Sequence, residues 1–165
     1  MQACAFTGHR SIARGHTAPL TDLLDRAIGY AYEQGCRIFL CGGALGFDTL
    51  AARRVLKFRI EHPDVQLRLV LPCIDQSERW SDAQRDTYDF LIRHSDTVRY
   101  VSEEYTDTCM RERNAILAGE SDMLVAYVSR QNSGAAQTVR MAQRQGKPVY
   151  NLFFAAEEGK NEQKR

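Results

Sequence analysis

Two short loops carry the residue types that hold anions: Thr7-Gly8-His9-Arg10 and Cys41-Gly42-Gly43-Ala44-Leu45-Gly46-Phe47-Asp48. Each follows an apolar, strand-like run and leads into a helix-like one. Glycine lets the backbone turn sharply and lie close to a ligand. The helix that follows adds free N–H groups and the positive end of its dipole. Arg10 brings a fork of donors suited to phosphate or carboxylate. His9 either donates to the same group, acts as a base or packs the loop. Asp48 reads equally as an acceptor for a ribose or base and as a first-turn acid that complements the helix dipole. The expected ligand contacts here are Thr7, Gly8, His9, Arg10, Gly42, Gly43, Ala44, Gly46 and Asp48. The glycine loop is neither the G-x-G-x-x-G fingerprint of dinucleotide binding nor a P-loop, which needs a lysine and a hydroxyl.

Three further segments could join the site. Arg113 and Asn114 stand in Arg111-Glu112-Arg113-Asn114, where adjacent arginines near a helix start oppose the dipole; the plain alternative is a solvated face. Ser133, Gly134 and Thr138 lie at another strand–loop–helix junction, where Ser133 reads equally as an ordinary N-cap. Gln76 and Trp80 flank a loop, and the tryptophan either stacks on a base or anchors the loop. No catalytic residue, metal site or cofactor is assigned.

Positioning these groups requires alternating strands and helices. Strand-like runs span Gln2 to Thr7, Arg37 to Cys41, Val65 to Leu71, Thr97 to Val101, Met123 to Val128 and Val149 to Phe153. Five helical patterns separate them. The first places Leu20, Leu23, Leu24, Ala27, Ile28 and Ala31 on one face. Ser81-Asp82-Ala83-Gln84 has the form of a capping box. This alternation predicts an α/β fold, a Rossmann-like three-layer αβα sandwich with a mostly parallel six-stranded sheet. The expected strand order is 3-2-1-4-5-6, with the ligand crevice at the topological switch. Residues 1–154 read as a single domain and residues 155–165 as a polar, frayed tail.

At 165 residues, with 44% hydrophobic and 26% charged side chains, the chain can build one substantial core. A formal net charge of +1 supplies no global field for nucleic acid. The eighteen arginines against four lysines suit bidentate phosphate contacts but also reflect genome composition. Five cysteines without a secretion pattern argue for packed thiols rather than disulfides. The expected location is cytoplasmic, with no membrane association.

Arg113 to Asp122, Ser133-Gly134, Thr138 and Gln145-Gly146-Lys147-Pro148-Val149 together resemble the Rossmann-like core of the DNA-processing protein DprA family. Gly43 to Asp48 resembles that family's glycine–aspartate loop. Thr7 to Arg10 and Pro72-Cys73-Ile74-Asp75-Gln76 with Trp80 look more like the YpsA-like branch of the SLOG superfamily. The resemblance implies a small pocket for nucleotide-derived ligands or nucleic acid, with binding or sensing as the leading function. A phosphoribohydrolase-like enzyme acting on nucleoside monophosphates is the first alternative. The P-G-G-x-G-T-x-x-E pattern of that branch meets Asn132 to Thr138 here without its proline, second glycine or glutamate. DprA-like binding of single-stranded DNA is the second alternative. A homo-oligomer is compatible with each.

Overall fold

Strands too apolar to face water settle the middle of the sheet, and a more polar strand settles its edge. The computed structural model describes residues 1–163. In chain order the elements are β1 (Ala3–Gly8), α1 (Thr17–Glu33), β2 (Ile38–Cys41), α2 (Phe47–Glu61), β3 (Gln66–Cys73) and α3 (Asp82–His94). They continue as β4 (Thr97–Ser102), α4 (Cys109–Glu120), β5 (Met123–Tyr127), α5 (Gly134–Arg144), β6 (Val149–Asn151) and α6 (Phe153–Gln163).

All five strand pairings are parallel, and the order is β4-β3-β2-β1-β5-β6. The Rossmann-like αβα class therefore holds, but the expected order 3-2-1-4-5-6 does not. The fourth strand pairs with β3, Leu69 opposite Val98, instead of joining β1. Its sequence Thr-Val-Arg-Tyr-Val-Ser leaves Thr97, Arg99 and Tyr100 exposed, which an edge tolerates. The run Met-Leu-Val-Ala-Tyr of β5 is buried throughout and takes the place beside β1. The switch point thus falls between β1 and β5.

One face of the sheet packs Phe6, Phe39, Leu67 and Leu71 against α1, α2, α3 and α6, with Leu20, Leu24, Phe47 and Leu91 as helix contacts. The other face packs Ala5, Leu40, Val70 and Leu124 beneath α4 and α5. The five cysteines are free and buried, as packed thiols would be. Burial, then the Asp75 carboxylate, pushes the Cys73 thiol up to about 12, so it stays protonated at neutral pH. Among the described residues, no helix is long and apolar enough to cross a membrane.

The expected frayed tail is a helix as far as it is described, while residues 164 and 165 lie outside the described residues. Ala156 of α6 is fully buried. At Gly159 a Cβ would lie 2.7 Å from Pro19 Cβ, so this turn lies directly on α1. His16, itself fully buried, completes the attachment. The Tyr127 hydroxyl accepts the Ala13 N–H (3.0 Å) and lies 2.8 Å from His16 Nδ1, while His16 Nε2 bonds the Glu157 carboxylate. The polar composition after Ala156 hides these few anchoring positions, which is why a sequence reading ends the fold too early.

The capping box forms as expected: Ser81 Oγ accepts the Gln84 N–H at 3.2 Å and Gln84 Oε1 accepts the Ser81 N–H at 3.0 Å. Replacing Ser81 by Ala should lower stability by about 1 kcal/mol in a urea titration. A change near zero would show that the box contributes nothing to holding the β3–α3 loop.

Candidate functional site

A cleft of about 480 Å³ opens at the carboxyl ends of β2, β3 and β4. The β1–α1 loop contributes Arg10, and the β2–α2 loop contributes Ala44 and Leu45. The end of β3 and the loop after it supply Pro72, Cys73, Asp75, Gln76, Glu78, Arg79 and Trp80; Tyr105 and Met110 close the far side. Arg10 and Arg79 are exposed, and neither makes a hydrogen bond or ion pair among the described residues. Trp80 rests edge-on against Tyr88, with ring centroids 5.0 Å apart. Gln76 Nε2 donates to the Tyr88 hydroxyl (3.1 Å) and to the Gly43 carbonyl (3.4 Å). Burial pushes the Tyr88 phenol up to about 12, so it remains neutral. Trp80 is therefore both loop anchor and cleft wall: it packs on the core and lines the cleft.

Beneath the glycine loop lies a buried polar cluster. Asp48 is 4% exposed; its Oδ2 accepts the Ala44 N–H at 3.2 Å, while Oδ1 has no hydrogen-bond partner among the described residues. Burial raises the Asp48 pKa to about 6, against the opposing pull of Arg113, the Ala44 N–H and Arg10. Arg113 is 5% exposed, donating from Nη1 to the Gly42 carbonyl (2.5 Å) and from Nε to Asn114 Oδ1 (2.8 Å). Burial lowers its pKa and the Asp48 charge partly restores it. A Cβ at Gly42 would sit 2.5 Å from Arg113 Nη1 and 2.9 Å from Asp48 Oδ2. Gly42 is thus the spacer across which acid and guanidinium attract each other. The arginine pair at the start of α4 divides its labour: Arg111 is exposed and Arg113 holds the loop from below.

The glycines serve the protein's own packing. A Cβ at Gly8 would lie 2.5 Å from the Phe47 ring, and one at Gly43, where φ is +69°, 2.3 Å from Leu71. Gly46, at φ +76°, lets the β2–α2 loop meet the β1–α1 loop, and the Phe47 N–H donates to the His9 carbonyl at 3.1 Å.

Of the expected contacts, Arg10, Ala44, Gln76 and Trp80 line the cleft. Thr7 is buried within β1, opposite Ala126. His9 bridges the ends of β1 and β5: its Nε2 accepts the Ser129 N–H at 2.8 Å, so the neutral ring carries its proton on Nδ1. Burial and then the Arg130 charge lower its pKa, which favours that acceptor form. Ser133 caps α5 by accepting the Ala136 N–H at 3.1 Å, and buried Thr138 donates to the Gly134 carbonyl at 3.0 Å. Gly134 faces Asn114. These groups lie outside the cleft lining because the cleft sits over β2–β4 rather than at the switch point. Arg79 and Tyr105 are the principal lining residues that sequence reasoning missed. The Arg79-Trp80 adjacency was a usable signal, and Tyr105 stands in the loop after the fourth strand, which the strand–helix alternation already places at the crevice.

A family model described as the YspA SLOG family matches residues 5–155. The chain belongs to this family. Among similar proteins, a UPF0398 protein of Bacillus cereus strain G9842 is 24% identical, covering 93% of this chain and 90% of its own length. The fold is similar to that of DNA processing protein A from Streptococcus pneumoniae, with a TM-score of 0.63 at 18% identity. That match covers 90% of this chain, which spans about half (49%) of the pneumococcal protein. DNA processing protein A from Helicobacter pylori, described for its single-stranded DNA binding mode, gives a TM-score of 0.63 at 17% identity, covering 90% of this chain and 63% of its own. The SLOG fold of this family thus carries, in this chain, a cleft at the strand ends with two unpartnered guanidinium groups.

Proposed function

We propose that the cleft binds a nucleotide or nucleotide-derived phosphorylated ligand. The observation that carries this reading is the pairing of unpartnered Arg10 and Arg79, from two different loops, with the Trp80 wall. Guanidinium groups free of protein partners suit a phosphate, and an aromatic wall suits a base. Asp75 and Glu78 stand on the same rim as acceptors for ribose hydroxyls. A volume of about 480 Å³ is within the range of small-molecule sites. Binding alone needs no catalytic group, and Asp48, though its pKa of about 6 would suit acid–base work, lies under the loop instead of lining the cleft.

Thermal melting with a panel of nucleoside monophosphates and diphosphates tests this. Millimolar ligand should raise Tm by several degrees, since ligand bound only to the folded chain stabilises it. Arg10→Gln or Trp80→Ala should weaken the dissociation constant about tenfold. A flat response across the panel would refute the reading.

Single-stranded DNA is the second reading, favoured by the same arginines and by the described activity of the Helicobacter pylori relative. It requires binding that weakens steeply with salt. A gel shift at two salt concentrations separates it from nucleotide binding.

A further inference from the structure

We propose that the ligand is a dinucleotide: one nucleoside unit in the Trp80 cleft, the second in an adjoining groove, and the linking phosphates at Arg10. The inference rests on the nucleotide reading above and names its ligand class.

The adjoining groove runs between the β1–α1 loop, the exposed face of α2 and the start of α3. It has a volume of about 610 Å³ and shares Arg10 and Leu45 with the cleft. Ile12 and Leu50, both packed on the core, give the groove an apolar floor suited to a base or ribose. Its polar groups are matched to an anionic ligand. Arg53 is exposed and, like Arg10, has no hydrogen bond or ion pair among the described residues. Arg54 beside it is already neutralised by a two-point contact with Asp25, at 2.7 Å in both arms. Gln84 uses only its Oε1 in the α3 capping box, which leaves its amide N–H groups for a ligand.

The order of free cations therefore runs Arg79, Arg10, Arg53, with Arg10 at the junction of the two lobes. Two apolar or aromatic walls flank a central guanidinium. Phosphates that bridge two nucleosides across this junction would meet Arg10, the one guanidinium common to both lobes. Arg10 comes from the loop locked against Gly46, so the junction is held by backbone packing rather than by a mobile side-chain network.

Isothermal titration with adenosine 5′-monophosphate, diadenosine pyrophosphate and a fifteen-residue thymidine oligonucleotide tests the inference on the full chain. The dinucleotide should bind about tenfold more tightly than the mononucleotide, the size of one added charge-assisted contact. In Arg53→Gln, that advantage should shrink to about threefold or less, in a chain whose ligand-free Tm matches the wild type. If the mononucleotide binds and the dinucleotide binds no better, the dinucleotide assignment is overturned while nucleotide binding stands. If the oligonucleotide exceeds the dinucleotide by a further factor of about ten, the two lobes are part of a polynucleotide track and the assignment is likewise overturned. If none of the three binds, both readings fall.

Discussion

Gly46→Ala should lower the unfolding free energy by about 4 kcal/mol, read as a shift in the urea midpoint. Two costs add at this position. The backbone stands at φ +76° and ψ −119°, a conformation that only glycine adopts without strain. A Cβ there would also lie 2.3 Å from both the carbonyl carbon and the oxygen of Arg10, and 2.7 Å from the His9 carbonyl oxygen. Those neighbours are backbone atoms, so no rotamer change relieves the overlap. The variant must separate the β1–α1 loop from the β2–α2 loop, and Arg10 would move with it. Nucleotide binding should therefore weaken even where the variant remains folded. Gly29 supplies the contrast: it lies inside α1 with nothing within 4 Å of a built Cβ. Gly29→Ala should stabilise by up to about 1 kcal/mol through helix propensity. A Gly46→Ala midpoint close to that of the wild type would show that the two loops are not locked together.

Arg113→Met should cost about 3 kcal/mol at pH 8 and clearly less at pH 5. The substitution keeps an apolar side chain of similar length but removes the donors to Gly42 and Asn114. It also withdraws the cation that holds the Asp48 pKa down. The direction of the pH effect follows from linkage. The folded value of Asp48, about 6, lies above the ordinary carboxylate value, so the folded chain binds this proton more tightly than the unfolded chain. Stability from that proton is complete below the unfolded pKa and is lost as pH rises through the folded one. Without Arg113 the folded value climbs further and the loss extends into the neutral range. The gap between variant and wild type must therefore widen from pH 5 to pH 8. Chemical denaturation at the two pH values measures it, and an equal loss at both would mean that Asp48 and Arg113 do not share a field.

Both effects bear on why a glycine-rich loop here is not evidence of ligand contact by each of its residues. Gly8, Gly42, Gly43 and Gly46 are required because Phe47, Arg113, Leu71 and the Arg10 backbone occupy the space a side chain would take. The loops that resemble an anion cradle hold each other, and the surface they jointly offer is narrower: Arg10, Ala44 and Leu45 to the cleft, and Arg10, Ile12, Leu45 and Gly46 to the groove beside it. Asp48 and Arg113 act from below by holding the loop's carbonyl and amide groups. Substitutions in that cluster should appear first as stability changes and only then as binding changes.

The alternation of apolar runs with helical patterns was sufficient for the αβα class, because burial on both sheet faces demands nearly continuous apolar strands whatever their neighbours. Local chemistry was legible in part: the Ser81–Gln84 box follows from residues three positions apart, while Ser133 read equally as a ligand contact and as the N-cap that the structure makes it. What required the tertiary structure were relations between distant residues. Strand order depended on whether Thr97–Ser102 or Met123–Tyr127 could tolerate an edge, a comparison between segments rather than a property of either. The docking of α6 depended on His16 meeting Tyr127 and Glu157 across more than a hundred positions of chain. His9 and Arg10 are neighbours in sequence, yet one ring is committed to Ser129 and the other side chain faces the cleft. Side-chain type and spacing record what a residue is able to do; packing, which assigns each group its nearest partner, decides what it is left free to do.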